Sequence, residues 1–158
     1  MAADLNMRKL SEHFTYDEMT LSGTAVRKGI KNDPSPAELK NLQQLCTKIL
    51  EPFRTKIGPL RVSSGYRSPA LNKLIGGSPK SQHCLGLAAD VTPLKMDLKK
   101  AYLCLVDSGI PFDQAIFEFG RWVHVSWSVK PRGQKLVAFK ETGKTRYVTL
   151  TDYGTKNL

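Results

Sequence analysis

One predicted helix constrains the fold of this chain more than any other segment. Apolar side chains recur at helical spacing between residues 35 and 56, and such a stripe indicates a helix with one buried face. Ser35 and Glu38 have the spacing of a capping box at its start, and Gly58 suits its end. The stripe consists of Leu39, Leu42, Cys46, Ile49, Leu50 and Phe53. We therefore predict that this is the main helix of the core and that a second layer covers it.

Shorter elements are predicted on both sides of this helix. Thr15 and Glu18 form a second capping box before a helical turn, and residues 21–32 are expected to wrap the surface. Further helices are predicted at residues 69–74 and 98–106. Strand-like runs occur at residues 60–63, 87–91, 115–119, 122–128, 137–140 and 146–150. This order predicts an α+β fold with a small antiparallel sheet flanked by helices.

Length and composition narrow the classes of protein that fit. The 158 residues are the size of one domain, and we predict a single domain over residues 1–158. No apolar run approaches the ~18 residues of a membrane-spanning helix, and residues 1–10 lack the apolar core of an export signal. The 3 cysteines cannot all pair, which indicates a reducing compartment. The net charge of +10 favours anionic partners.

Two histidines and an aspartate form a candidate metal site. His83 precedes Asp90 in a partly apolar segment, and His124 lies in the strand-like run of residues 122–128. Two imidazoles and a carboxylate suit zinc, and three protein ligands leave the fourth position open, as in catalytic sites. Spacing alone is a weak signal of metal binding. Cys84 is a rival ligand, although alternation along an extended segment would point it away from His83.

Glu118 is a candidate proton acceptor beside this site. If the turn after it is a three-residue loop over residues 119–121, Glu118 lies opposite Trp122 and shares a face with His124. A carboxylate in that place, not needed as a ligand, can take a proton from water. A two-residue turn would instead place Glu118 on the opposite face, as a surface residue.

A resemblance to a known family rests on motifs spread over residues 60–128. They are, in order, Ser64-Gly65-Tyr66-Arg67-Ser68-Pro69, Asn72, Gly76-Gly77-Ser78, Ser81-x-His83-x-x-Gly86-x-Ala88-x-Asp90, Glu118 and Trp122-x-His124. Together they resemble the zinc D-alanyl-D-alanine carboxypeptidase family. That family belongs to the superfamily of lysostaphin-like peptidases, D-Ala-D-Ala metallopeptidases and Sonic hedgehog. Residues 10–14 also look like the opening of phage and prophage members.

The resemblance implies roles for individual residues. His83, Asp90 and His124 match the family's zinc ligands, with one Zn²⁺ per chain. Arg67 matches an arginine that binds a substrate carboxylate or carbonyl oxygen, a role that suits its two-donor fork. Ser81 would share a face with His83 in an extended segment and bond to substrate, or it caps a turn.

The motifs leave open the roles of two aromatic residues, and they do not directly identify the general base. Tyr66 and Trp122 either shape the substrate groove or belong to the core or the rim. Many relatives place an acidic base three residues before the last ligand, where this chain has Arg121, which cannot act as a base. Other relatives use a histidine five residues before, and here that residue is Phe119. Glu118 is therefore the candidate base.

The implied activity is hydrolysis of an amide bond in the stem peptides or cross-links of bacterial peptidoglycan. We expect a monomeric phage lysin-type endopeptidase, held in the host cytoplasm until release to the periplasm and cell wall. A virion-associated wall peptidase and a D-Ala-D-Ala carboxypeptidase are the alternatives. The catalytic core is predicted at about residues 35–130, with a C-terminal hairpin and tail at residues 131–158.

Two further classes of function compete with this interpretation. The charge of +10 also suits a nucleic-acid-binding domain, but no recognisable nucleic-acid motif occurs. We therefore expect no nucleic-acid partner and attribute the charge to attraction towards an anionic cell envelope. The other alternative is a zinc-bearing scaffold without catalysis, as among hedgehog-like relatives.

Overall fold

A six-stranded sheet forms one layer of the computed structural model, which describes residues 8–158. Most of the segment in which an export signal was sought lies outside these residues. The strands are β1 (Leu60–Ser64), β2 (Ala88–Pro93), β3 (Gln114–Glu118), β4 (Trp122–Ser126), β5 (Gln134–Glu141) and β6 (Lys144–Thr149). Their order across the sheet is β1-β2-β4-β3-β5-β6.

The sheet is mixed rather than purely antiparallel, which corrects one detail of the predicted α+β fold. Strands β3 and β5 pair in parallel, whereas every other neighbouring pair is antiparallel. The cause is that β2 already occupies the free edge of β4. The chain leaving β4 therefore pairs at the far side of β3, and there it runs in the direction of β3. The predicted C-terminal hairpin thus continues the same sheet.

Helices flank the sheet. They are α1 (Tyr16–Thr20), α2 (Gly23–Lys28), α3 (Pro36–Leu45), α4 (Glu51–Ile57), α5 (Pro69–Leu74), α6 (Leu98–Val106) and α7 (Leu150–Tyr153). Helix α2 occupies the segment that was expected only to wrap the surface; Ser22 caps it and Gly29 ends it. None of the helices within residues 8–158 is long and apolar enough to cross a membrane.

The main core helix is confirmed, with a change of winding in its middle. Its capping box of Ser35 and Glu38 is present, and the buried stripe packs against the sheet. A π-helical turn, Cys46–Leu50, joins α3 to α4. Pro52 follows this turn, and a proline has no N–H and crowds the carbonyl four residues earlier. The wider π turn lies just before Pro52, where a regular α-helix would press the proline ring against that carbonyl.

Alternation along the strands separates the core from the opposite face of the sheet. Ala89, Val91, Ala115, Phe117, Val123, Val125 and Val137 are buried among the helices. The residues between them therefore point away from the core. On this second face lie Asp90 of β2, His124 and Trp122 of β4, and Glu118 of β3, all of which line one cavity.

Gly86 fixes the segment that carries His83 against helix α3. It ends a short 3-10 helix, Gln82–Leu85, in the left-handed conformation, with φ of 72°. A Cβ placed at Gly86 would lie 2.4 Å from the carbonyl oxygen of Glu38. The close approach of these two backbones therefore requires glycine.

We predict that Gly86→Ala lowers the free energy of unfolding by about 3 kcal/mol, because it adds a backbone clash to an unfavourable conformation. Gly109→Ala is the matched control, since Gly109 also has a positive φ but has open space around it. The control should cost about 1 kcal/mol. Urea unfolding of both variants measures the difference, and equal losses would contradict the proposed contact.

Candidate active site

Three buried side chains from different parts of the fold converge on one point. His83 comes from the 3-10 helix, while Asp90 and His124 are directly paired across β2 and β4. His83 Nε2 lies 3.3 Å from His124 Nδ1 and 3.3 Å from Asp90 Oδ1. The distance from His124 Nδ1 to Asp90 Oδ1 is 3.0 Å. The three predicted ligands therefore present one donor atom each to a common centre.

The spacing and chemistry of these donors fit a zinc ion. Ligand bonds of about 2.0–2.1 Å in a tetrahedron place neighbouring donor atoms roughly 3.3 Å apart, close to the distances found here. His83 Nδ1 lies 2.7 Å from the carbonyl oxygen of Gly65. Because a carbonyl only accepts, Nδ1 carries the proton and Nε2 keeps its lone pair for a metal. Cys84, the rival ligand, is not part of this donor group.

The charge states of two of the three side chains favour metal binding. Burial alone would raise the pKa of Asp90, but the charge of His83 and the hydrogen bonds of both histidines outweigh burial and hold this pKa well below its usual range. Burial lowers the pKa of His83, despite the neighbouring carboxylate. The Asp90 carboxylate is therefore charged and the His83 imidazole neutral at pH 7, which are the forms that bind metals. Burial lowers the pKa of His124, but the hydrogen bond and charge of Asp90 outweigh burial and raise it, so a metal ion has to displace a proton from this ring.

Arg67 holds the outer oxygen of the metal-binding carboxylate. Its Nη2 donates to Asp90 Oδ2 at 3.2 Å, its Nε to Ser64 Oγ at 3.0 Å, and its Nη1 to Asn72 Oδ1 at 3.4 Å. These contacts orient Asp90 so that Oδ1 faces the two histidines. Arg67 also lines the cavity. Its predicted contact with substrate stays a prediction.

Glu118 lies beside the cluster because the hairpin has the register that the sequence analysis required. Glu118 pairs with Trp122 across the loop. Its Oε2 accepts a hydrogen bond of 2.9 Å from Trp122 Nε1, and its Oε1 lies 3.8 Å from His124 Nδ1. Burial is the main cause that raises the pKa of Glu118, against the lowering effect of His124. A carboxylate with a raised pKa, close to the centre but outside the ligand set, has the properties of a general base.

The other predicted site residues have different outcomes. Ser81 lines the cavity, but its segment is not extended: Ser81 Oγ accepts a hydrogen bond from the His83 backbone N–H at 3.2 Å, as a cap of the 3-10 helix. Trp122 lines the cavity and holds Glu118. Tyr66 is only 4% exposed and belongs mainly to the core, although it also lines a smaller cavity with Arg67, Asp90 and Trp122, and its predicted contact with substrate stays a prediction. Its hydroxyl donates to Glu38, and burial raises its pKa to about 12.

A buried carboxylate that the sequence analysis missed supports His83 from behind. Asp113 accepts hydrogen bonds from Arg132 Nε at 3.0 Å and Nη2 at 2.7 Å, and from the Arg132 backbone N–H at 2.9 Å. Gln82, next to His83, donates to the same carboxylate at 2.9 Å. Asp113 thereby ties the His83 turn to the start of β3. Its position before a strand is ordinary for a turn aspartate, so no sequence signal identified it.

The β5–β6 hairpin forms a further wall of the cavity that the sequence analysis also missed. Leu136, Thr145 and Tyr147 line it together with the predicted ligands. These residues come from the last two strands, after the final motif at His124. Only the parallel pairing of β3 and β5 brings them to the site.

Asp113 makes the free energy of unfolding depend on pH in the acid range. Hydrogen bonds from Arg132 are the main cause that lowers its pKa to about 2, from about 3.9 in an unfolded chain. A lowered pKa in the folded state means that the stabilisation is present above pH 4 and disappears as pH falls towards 2. The stability advantage of the wild type over Asp113→Asn should therefore shrink by about 2 kcal/mol between pH 6 and pH 2.

Urea unfolding at several pH values measures this difference. The exposed residue Asp107, at the end of α6, provides the control variant Asp107→Asn, against which the loss for Asp113→Asn is compared at each pH. A pH-independent difference for Asp113→Asn would contradict the assigned contacts.

Comparison with known proteins agrees with the geometry of this site. The family model described as Peptidase M15 matches residues 12–126, well over half of the chain. The matched region contains all three metal-binding residues, Arg67 and Glu118. None of the curated proteins matches the chain significantly. The chain therefore belongs to the Peptidase M15 family of zinc metallopeptidases.

Proposed function

We propose that this protein is a zinc-dependent endopeptidase that cuts an amide bond in the peptide part of bacterial peptidoglycan, as a phage lysin does. The observation that carries the proposal is a spare, partly buried carboxylate, Glu118, beside three donor atoms that leave one zinc position open. A closed structural site would have a fourth protein ligand. We propose one zinc ion per chain and a monomeric enzyme.

The residues of the site divide the chemistry among themselves. His83, Asp90 and His124 would hold the ion, which supplies a Lewis acid for the carbonyl and makes water acidic enough to react at neutral pH. Glu118 accepts a proton from the attacking water and delivers it to the leaving amine. Its raised pKa favours both steps, because it makes the carboxylate a stronger proton acceptor and lets the carboxylic acid persist until the amine leaves.

Arg67 is placed to bind the substrate next to the reacting carbonyl. Its guanidinium lies in the cavity wall beside Asp90, and its partners fix the plane of the guanidinium. A fixed cation there binds a carbonyl oxygen or a carboxylate, and loss of one such donor typically slows hydrolysis by roughly 10²–10³. The same cation supports the second candidate, a D-Ala-D-Ala carboxypeptidase, because it suits the terminal carboxylate of that substrate.

Two properties of the chain support release into a cell envelope after storage in a reducing compartment. Cys46, Cys84 and Cys104 are all free thiols, as is usual in the cytoplasm. The net charge of +10 attracts the chain to anionic envelope polymers. We propose that the protein is held in the host cytoplasm, or in a virion, until it reaches the cell wall.

Digestion of purified Gram-negative peptidoglycan by the zinc-loaded protein tests the function. We expect soluble fragments with new amine and carboxyl ends inside the stem peptide or the cross-link, identified by mass spectrometry. Release of D-alanine alone would identify the carboxypeptidase instead. If the zinc-loaded protein releases nothing, the peptidoglycan peptidase proposal is wrong.

Glu118→Gln separates the base from the ligands in the same assay. We expect this variant to bind one zinc ion with wild-type affinity and to lose at least 10²-fold in kcat, because the amide cannot take the proton. His83→Ala is the contrasting variant and should lose both the zinc and the activity. Metal content by atomic emission and initial rates provide the two readouts. A Glu118→Gln variant that keeps a near-normal rate would show that another group is the base.

A further inference from the structure

We infer that the β5–β6 hairpin forms a subsite for the peptide that extends beyond the scissile bond, with Tyr147 as its main contact. This inference rests on the proposed function, since it assumes that a peptide is cut at Glu118. The hairpin lies outside residues 12–126, the part of the chain that the family model covers. The match therefore assigns no role to the hairpin.

The register of the sheet aligns Tyr147 with the catalytic hairpin. Trp122 of β4 pairs with Glu118 of β3, Glu118 pairs with Ala138 of β5, and Ala138 pairs with Tyr147 of β6. These four residues form one row across neighbouring strands. Directly paired residues point to the same face of a sheet, so Tyr147 faces the same side as Glu118. Both line the same cavity of about 810 Å³.

The space between Glu118 and Tyr147 lies beside the row and not over Ala138, which is buried and does not line the cavity. Leu136 and Ile116 pair with each other one step along the strands and form an apolar floor. Two strand spacings of about 4.8 Å separate Glu118 from Tyr147, so the backbones are roughly 10 Å apart. About three residues of extended peptide cover that distance.

Tyr147 itself has the properties of a contact residue. Its side chain is 54% exposed, although it lies on the face that carries the site. Burial raises the pKa of its phenol, and the negative charges of Glu118 and Asp90 raise it further, which places the hydroxyl within their field. An exposed ring with a polar end packs on a peptide and donates a hydrogen bond to it.

The charges around the cavity indicate the class of peptide. Asp90 and Glu118 place negative charge at the centre of the cavity beside Arg67, and Arg132 is paired with Asp113. Two exposed cations lie farther out: Lys80 in the cavity lining, and Lys140, which donates to Thr145 of the cavity wall. These two lysines can pair with free carboxylates of a peptide, such as those of the acidic stem peptide of peptidoglycan.

Binding of a stem pentapeptide to zinc-loaded protein tests the subsite. The titrations use Glu118→Gln as the background, so that the peptide is not cut, and isothermal calorimetry gives the dissociation constant. We expect Tyr147→Ala in this background to weaken binding about tenfold, as truncation of an aromatic contact residue does. Tyr147→Phe distinguishes a contact of the ring from one of the hydroxyl.

Arg146→Ala is the matched control, because Arg146 is adjacent on β6 but points to the opposite face, where it pairs with Glu141. It should leave binding within twofold of the background. An unchanged affinity for Tyr147→Ala, an equal loss for Arg146→Ala, or no pentapeptide binding at all would overturn the subsite.

The two proposals fail in different ways. If the zinc-loaded wild type does not hydrolyse peptidoglycan but pentapeptide binding depends on Tyr147, the proposed reaction is wrong and the subsite stands. If hydrolysis proceeds and pentapeptide binding ignores Tyr147, the reaction stands and the subsite is wrong.

Discussion

The pairing of Asp90 with His124 across two antiparallel strands is the constraint on which the site depends. Residues opposite each other in such a pair have fixed spacing and face the same side. The pairing therefore places a carboxylate and an imidazole 3.0 Å apart. The 3-10 helix adds His83 from above, and Gly65 fixes the tautomer of its ring. The fold itself thus brings the three donor atoms together.

A buried carboxylate needs compensation, and the fold provides it from several directions. Asp90 is almost fully buried and would lose much of its hydration energy without partners. Arg67 supplies charge to one oxygen, and the two histidines contact the other. The same logic applies to Asp113, whose partners hold the His83 turn in place. The site therefore rests on two carboxylates, one that faces the metal and one that supports its ligand.

Local sequence signals predicted much of this structure because they act over a few residues. The capping boxes of α1 and α3 and the aspartate cap of α6 are examples, as each depends on a single turn of chain. The ligand set was also predictable because family motifs contain it, and the register of Glu118 was predictable because one hairpin loop defines it. Phe119 and Gly120, both with positive φ, form the tight loop that this register requires.

The features that escaped prediction depend on contacts between distant segments. Strand β5 lies beside β3 because both edges of β4 are already paired, and no local sequence pattern indicates this pairing. Such contacts also decide between the alternatives that the sequence left open, since the Tyr66 hydroxyl bonds to Glu38, far away in sequence, and Ser81 caps the 3-10 helix. Tyr147 and Asp113 reach the site only through the sheet order and the Arg132 loop.

The central claim is that His83, Asp90 and His124 bind zinc and leave one position open. Zinc K-edge X-ray absorption of the zinc-loaded protein measures this coordination directly. We expect four nitrogen or oxygen neighbours at about 2.0–2.2 Å, including two imidazoles and one ligand from solvent. A sulfur neighbour at about 2.3 Å would show that Cys84 is a ligand, and it would contradict the account.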